Sequence, residues 1–261
     1  MKKIYNSLLA IFLVTLLTTH AVFCQSVDKM IDDVDELYKQ FNNEKALDVL
    51  KKAEKAEPNN FEVIWRLSRT YIDLGEKMPA STSQQEDAQL ASYQKALEYA
   101  EKAVKINGNS SVGYLRKAIA NGRIALFKGV FSVGGMVNSV KADVEKAIQL
   151  NNGGNFVQGV AHYVLARTHS KTSEKWKPAR SVLGLGWADN EIAIAEFKKA
   201  IQLYPNYIMF YVDYANALIR EKEYKTAREM LNIALKTPIA HQEDEKRLAE
   251  AKKILNDIKN D

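Results

Sequence analysis

The chain has 261 residues, a single cysteine and a formal net charge of +5, so neither a disulfide framework nor thiol chemistry organises it once Cys24 is set apart. Lys and Glu alternate along most of its helical stretches, which makes a solvated surface and not a nucleic-acid footprint. Its histidines, His20, His162, His169 and His241, come without a His-Glu-x-x-His, a Gly-x-Ser-x-Gly or a phosphate-cradling glycine loop. Nothing in it therefore points to an enzyme, a metal or a cofactor.

Residues 1–24 are expected to be an export signal, with residues 25–261 as the mature domain. Lys2 and Lys3 precede the apolar run Leu8 to Leu17, followed by the polar exit Thr18, Thr19 and His20. The run is short for a bilayer span. Val22 and Cys24 suit a cleavage site before Gln25; the alternative is a lipoprotein acylated at Cys24, although bulky Phe23 sits where a lipobox wants a small residue. Export places the protein in the periplasm or against an outer membrane.

Beyond Gln25 the chain repeats. Ala193, Phe197 and Ala200 recur as Ala227, Leu231 and Ala234, and both alanine pairs are 34 residues apart, the length of a tetratricopeptide repeat (TPR). Tyr211, Tyr214, Ala215 and Leu218 stand between them at helical i, i+3, i+4, i+7 spacing. Earlier copies carry Ala46, Leu50 and Ala53, then Ala96, Ala100 and Ala103, then Val140, Val144 and Ala147. Small alanines let paired helices approach, and each unit must stack on its neighbours to bury its apolar face. The fold class expected is all-α: a TPR-like right-handed solenoid of about five helix pairs. Gln242 to Lys259, with Leu248, Ala251, Ile254, Leu255 and Ile258 on one stripe, is expected to be its capping helix.

Successive anchors lie 50, 44, 53 and 34 residues apart, so insertions enlarge the second, third and fourth units. The first, near Glu76 to Ala91, is polar and Ser/Gln-rich and reads as a solvated excursion running into the next helix. The second, Ile124 to Lys141, is apolar and holds Phe127 and Phe131. The third, Lys171 to Asp189, sets Lys171, Lys175, Lys177 and Arg180 beside Trp176 and Trp187. Basic residues next to Trp and Leu suit a membrane interface; the alternative is that these side chains pack back over the groove. The Gly134-Gly135 and Gly153-Gly154 pairs read as helix breakers.

Helix A of each unit lines the concave surface, and Trp65, Arg69, Arg123, Arg167, Asn216 and Arg220 fall on or near that inward stripe. Four arginines from successive units could clamp a carboxylate or phosphate; the alternative is an ordinary solvated set. The partners this groove implies are a protein or peptide, or an anionic phospholipid.

The block Trp65-Arg66-Leu67-Ser68-Arg69, together with Ala96-Leu97-Glu98-Tyr99-Ala100-Glu101-Lys102-Ala103, Val144-Glu145-Lys146-Ala147-Ile148-Gln149-Leu150-Asn151 and Pro238…Glu243-Asp244-Glu245…Glu250-Ala251, resembles the regulator of microtubule dynamics family over roughly Asp28 to Lys259. The resemblance implies an all-helical TPR array. It also implies links to microtubules in eukaryotic members, and phospholipid binding and movement in a membrane-tethering member. An exported chain meets no microtubule, so that role is not expected here. The function expected is a non-enzymatic adaptor for a protein partner in the cell envelope, the alternative being a phospholipid or hydrophobic-ligand carrier at a membrane surface.

Overall fold

The computed structural model describes residues 26–129 and 134–260. The expected signal segment, Cys24 and Phe131 lie outside them. Twelve helices occur among the described residues, and ten of them form five hairpins: α1 (Val27–Lys39) with α2 (Asn43–Ala56), α3 (Phe61–Lys77) with α4 (Ser83–Ile106), α5 (Ser111–Lys128) with α6 (Gly134–Leu150), α7 (Gly154–Ser173) with α9 (Asn190–Leu203), and α10 (Ile208–Arg220) with α11 (Tyr224–Ala234). Short α8 (Lys177–Val182) lies within the fourth hairpin, and α12 (Asp244–Asp257) follows the fifth. This is the right-handed solenoid of five pairs with a terminal cap that the spacing predicts.

Local chemistry starts these helices. Asn42, Asn60, Thr82 and Asp189 each accept a hydrogen bond from a first-turn amide at the head of α2, α3, α4 and α9, satisfying donors that no helical carbonyl reaches. Gly153 and Gly154 adopt left-handed backbone, with φ of 86° and 79°, where α6 must break before α7. Every second-helix anchor named from the sequence is buried, from Ala46, Leu50 and Ala53 through to Ala227, Leu231 and Ala234. Phe197 and Phe210 are the bulkiest of the fully buried side chains, and they fill the fourth and fifth hairpins.

The insertions extend the hairpins that carry them. The first is solvated, with Ser83, Gln84, Glu86, Asp87 and Ala88 exposed, and it runs into the next helix as extra N-terminal turns of the 24-residue α4, held to α3 where Ser92 Oγ donates to Tyr71 O at 2.7 Å and Gln89 Nε2 to Gly75 O at 2.8 Å. In the third, Leu183, Leu185 and Trp187 pack back against Ala125, Met136 and Val137 of the preceding hairpin. The capping helix starts two residues later than expected, and Lys236 to Glu243 form a non-helical strap ahead of it. Ala251 and Ile258 of this terminal region are buried against the main core. No helix among the described residues is long and apolar enough to cross a membrane.

Candidate functional site: a cavity on the concave face

First helices of successive hairpins present the same face inward. On α3, Arg69, Asp73 and Glu76 stand at i, i+4 and i+7; on α5, Arg116, Ile119 and Arg123 stand at i, i+3 and i+7; α7 adds Val160, Tyr163, Val164 and Arg167. In an open array this face would be a groove. Here the superhelix turns far enough that the strap residues Ala240, His241, Gln242 and Glu243 meet Tyr38, Phe41 and Asn43 of the first hairpin. Asn43 Nδ2 donates to Gln242 Oε1 at 2.7 Å, and Gln242 Nε2 donates to Asp73 O at 2.8 Å. The groove thus becomes a cavity of about 190 Å³.

One part of its wall is apolar, formed by Ile72, Ile119, Leu126, Val137, Val140, Val160 and Val164. The other part is a charged network. Arg69 lies 4.0 Å over the Tyr38 ring and pairs with Asp73 at 3.4 Å. Arg123 pairs with Glu76, whose carboxyl is pushed up by burial and held back by that arginine. Arg167 Nη1 donates to Tyr163 Oη at 3.0 Å, while Tyr163 Oη donates to Asp213 Oδ2 at 2.7 Å. Burial drives the Tyr163 and Tyr207 phenols far up, so both stay neutral.

Arg116 differs from the other three. It has no ion-pair partner among the described residues, and its Nε has no hydrogen bond. Burial, reinforced by the charge of Arg69, pulls its pKa down to about 10. At neutral pH it is still a guanidinium, part-buried on the cavity wall, with Asp73 as the opposite charge nearby but no ion pair to it.

The sequence-predicted groove set divides. Arg69, Arg123 and Arg167 line the cavity. Trp65 does not: its indole N–H donates to Glu62 at 2.8 Å, and its ring lies beside the guanidinium groups of Arg66 and Arg116 at 4.2 and 5.6 Å. Asn216 and Arg220 face a separate small depression. There Arg220 is spent on structure, donating to Ser170 O at 2.8 Å, Asn190 Oδ1 at 3.1 Å and Ser173 Oγ at 3.0 Å. Sequence reasoning missed Arg116 and its neighbours Asp73, Glu76, Tyr163 and Tyr207; the seven-residue intervals Arg69 to Glu76 and Arg116 to Arg123 were the available signal.

The membrane-contact set divides as well. Phe127 packs beside Ile72, Tyr93 and Ile124. Trp187 donates to Asn138 Oδ1 at 2.8 Å and lies edge-on to His169. Arg180 is buried and donates to Ala188 O at 2.6 Å, so it belongs to the insertion's interior and not to a basic surface. Lys171 sits at the cavity rim, paired with Glu174 at 2.8 Å. Lys175, Trp176 and Lys177 are exposed, Trp176 at 75% and nearby Val182 at 87%.

Five stacked hairpins with alanine seams, a concave binding face and a capping helix define a TPR protein. Within that class, residues 30–259 match the family model described as regulator of microtubule dynamics protein 1-3, and the chain belongs to that family. Regulator of microtubule dynamics protein 3 of Rattus norvegicus is 26% identical over 229 residues, covering 84% of this chain and 46% of the relative. Protein 1 of Bos taurus is 28% identical over 125 residues, covering 48% of this chain and 38% of the relative. The chain thus spans less than half the length of the curated relatives it matches. Among solved structures, TTC0263, a TPR protein of Thermus thermophilus, aligns with a TM-score of 0.61 at 17% identity over 87% of this chain and 98% of that one. PilF of Pseudomonas aeruginosa aligns with a TM-score of 0.52 at 13% identity over 89% and 91%. These are likenesses of fold.

Proposed function

We propose that the chain is a non-enzymatic binding protein whose cavity encloses an amphiphile: an anionic group against Arg116 and an apolar tail along Ile119, Leu126, Val140 and Val164. The observation that carries this reading is the Arg116 guanidinium, which forms no ion pair among the described residues and leaves its buried Nε unsatisfied beside a largely apolar wall, since a desolvated charge without an ion-pair partner is costly. The volume, room for on the order of six waters, suits a small molecule. The family resemblance to a phospholipid-moving member supports the same reading. Native mass spectrometry of the purified protein tests it: a stoichiometric lipid or fatty acid adduct is expected, and a clean ligand-free mass after gentle preparation would count against it. The same spectrum reads the N-terminus, where a chain starting at Gln25 supports the proposed export signal and soluble periplasmic form, and diacylated Cys24 supports the lipoprotein.

A protein-interaction scaffold, the role expected first from the sequence, is favoured by the fold class. It would have to use the outer faces or displace the strap, because the groove itself is crossed. For the carrier reading, the exposed Trp176 and Val182 with Lys175 and Lys177 offer a membrane contact beside the rim residue Lys171. Flotation with anionic vesicles at low salt is expected, and Lys171, Lys175 and Lys177 to Gln should weaken it by about 1 kcal/mol per cation. Wild-type protein that stays at the bottom of the gradient would remove the membrane part.

A further inference from the structure

We propose that Lys236 to Glu243 is a gate, and that the cavity fills and empties by its release from the first two hairpins. The proposal rests on the reading of the cavity as a ligand site and adds how that site is opened. Repeats of a solenoid touch their neighbours only, yet this strap reaches residues 199 and 169 positions away in the chain. Among the described residues, both hydrogen bonds that tie it to the first two hairpins run through one side chain, Gln242. Ala240 to Glu243 line the cavity, while the preceding Pro238 and Ile239 are exposed to solvent.

Each end of the strap is fastened locally. At the start, Leu235 N donates to Leu231 O at 3.0 Å and Thr237 N to Ile233 O at 3.1 Å, continuing α11. At the end, Asp244 Oδ2 accepts from Ala240 N and His241 N, both at 2.8 Å. The middle is therefore a short lever between two anchored ends. Its inner surface is the His241 ring, edge-on to Tyr207 at 4.1 Å and stacked on Phe156 at 6.4 Å.

The closed position also leaves polar atoms unsatisfied. His241 Nε2 and Asp244 Oδ1 are buried with no hydrogen-bond partner, and each would regain water when the strap lifts. Few cross-links, exposed residues at Pro238 and Ile239 and buried orphan atoms describe a segment at the low-stability end of a fold, where local opening precedes global unfolding. Lifting it exposes the cavity between Phe41 and Phe156 and leaves the five hairpins intact.

The test reads access to the cavity without any ligand. A Cβ at Gly122, on the cavity wall, meets nothing within 4 Å, so Gly122→Cys in the full chain carrying Cys24→Ser places one thiol inside. Its rate of reaction with a maleimide is expected to rise at least fivefold when Gln242→Ala is added, and less when Asn43→Ala is added. Asn232→Ala on α11 should change nothing. Circular dichroism melts must stay near the parent's, so that unfolding is not mistaken for opening. Equal labelling rates in the parent and Gln242→Ala would overturn the gate. So would a parent thiol that reacts as fast as a fully exposed one. Dissociation of a fluorescent long-chain fatty acid is expected to quicken by a similar factor in Gln242→Ala. Should the protein bind no such probe, the ligand reading falls while the labelling result still decides the gate.

Discussion

Arg116→Met is expected to stabilise the ligand-free protein while weakening its ligand. The guanidinium has no ion-pair partner among the described residues, and burial lowers its pKa to about 10. Replacing such a group by a well-packed apolar side chain removes desolvation without stranding an opposite charge, and comparable replacements gain about 1–4 kcal/mol. Because Arg116 is not fully enclosed, the lower end applies, about 1–2 kcal/mol in a urea titration of delipidated protein. The same change deletes the one cavity-lining cation that forms no ion pair among the described residues. A hydrogen bond to a charged group is worth about 1.5–3 kcal/mol, so affinity for a fluorescent fatty acid should fall roughly 10- to 150-fold. Arg116→Lys, a point charge without the planar fork, should fall in between. Unchanged affinity in Arg116→Met would place the anionic group elsewhere on the wall.

The largest loss of stability outside the apolar core is expected at Asp213. Its buried carboxylate accepts from Tyr163 Oη at 2.7 Å and faces Arg167 at 3.6 Å and Arg247 at 3.8 Å, so a single side chain of α10 joins α7 to the capping helix. Asp213→Ala leaves two mostly buried cations facing each other, and breaking a buried pair from one side costs about 3–5 kcal/mol. For a domain of this size that is roughly 6–20 °C in melting temperature. Adding Arg247→Met should recover part of the loss, because one of the stranded charges goes with it. A drop under about 1 kcal/mol would show that water or rearrangement already screens the cluster.

The two expectations treat neighbouring arginines oppositely, and the reason is their company. Arg167 is legible in the sequence as a position on an inward stripe, and the seven-residue interval to Arg123 puts Arg116 on another. Nothing along the chain distinguishes the one that finds Asp213 from the one that finds no partner. Partnering depends on Tyr163, Asp213 and Arg247, which are contributed by α7, α10 and α12 and meet only in three dimensions.

The sequence by itself determined the hairpins and their register. Alanines at helical spacing bury against one partner helix, and Asn, Thr and Asp caps start helices wherever they stand, so these features depend on contacts within a repeat or between adjacent ones. The form of the insertions was less legible, because Ser- and Gln-rich residues such as Ser83 to Gln89 suit a loop as well as the solvent face of a helix. The Thr82 cap starts them as helix, and Gln89 and Ser92 further on tie that helix to α3. Only the tertiary structure decided that the groove closes. That the strap reaches the first hairpin, with Gln242 bonded to Asn43 and Asp73, depends on how five stacked hairpins add up and not on any one of them. A small change per repeat would carry Gln242 past Asn43, and no local pattern records that sum.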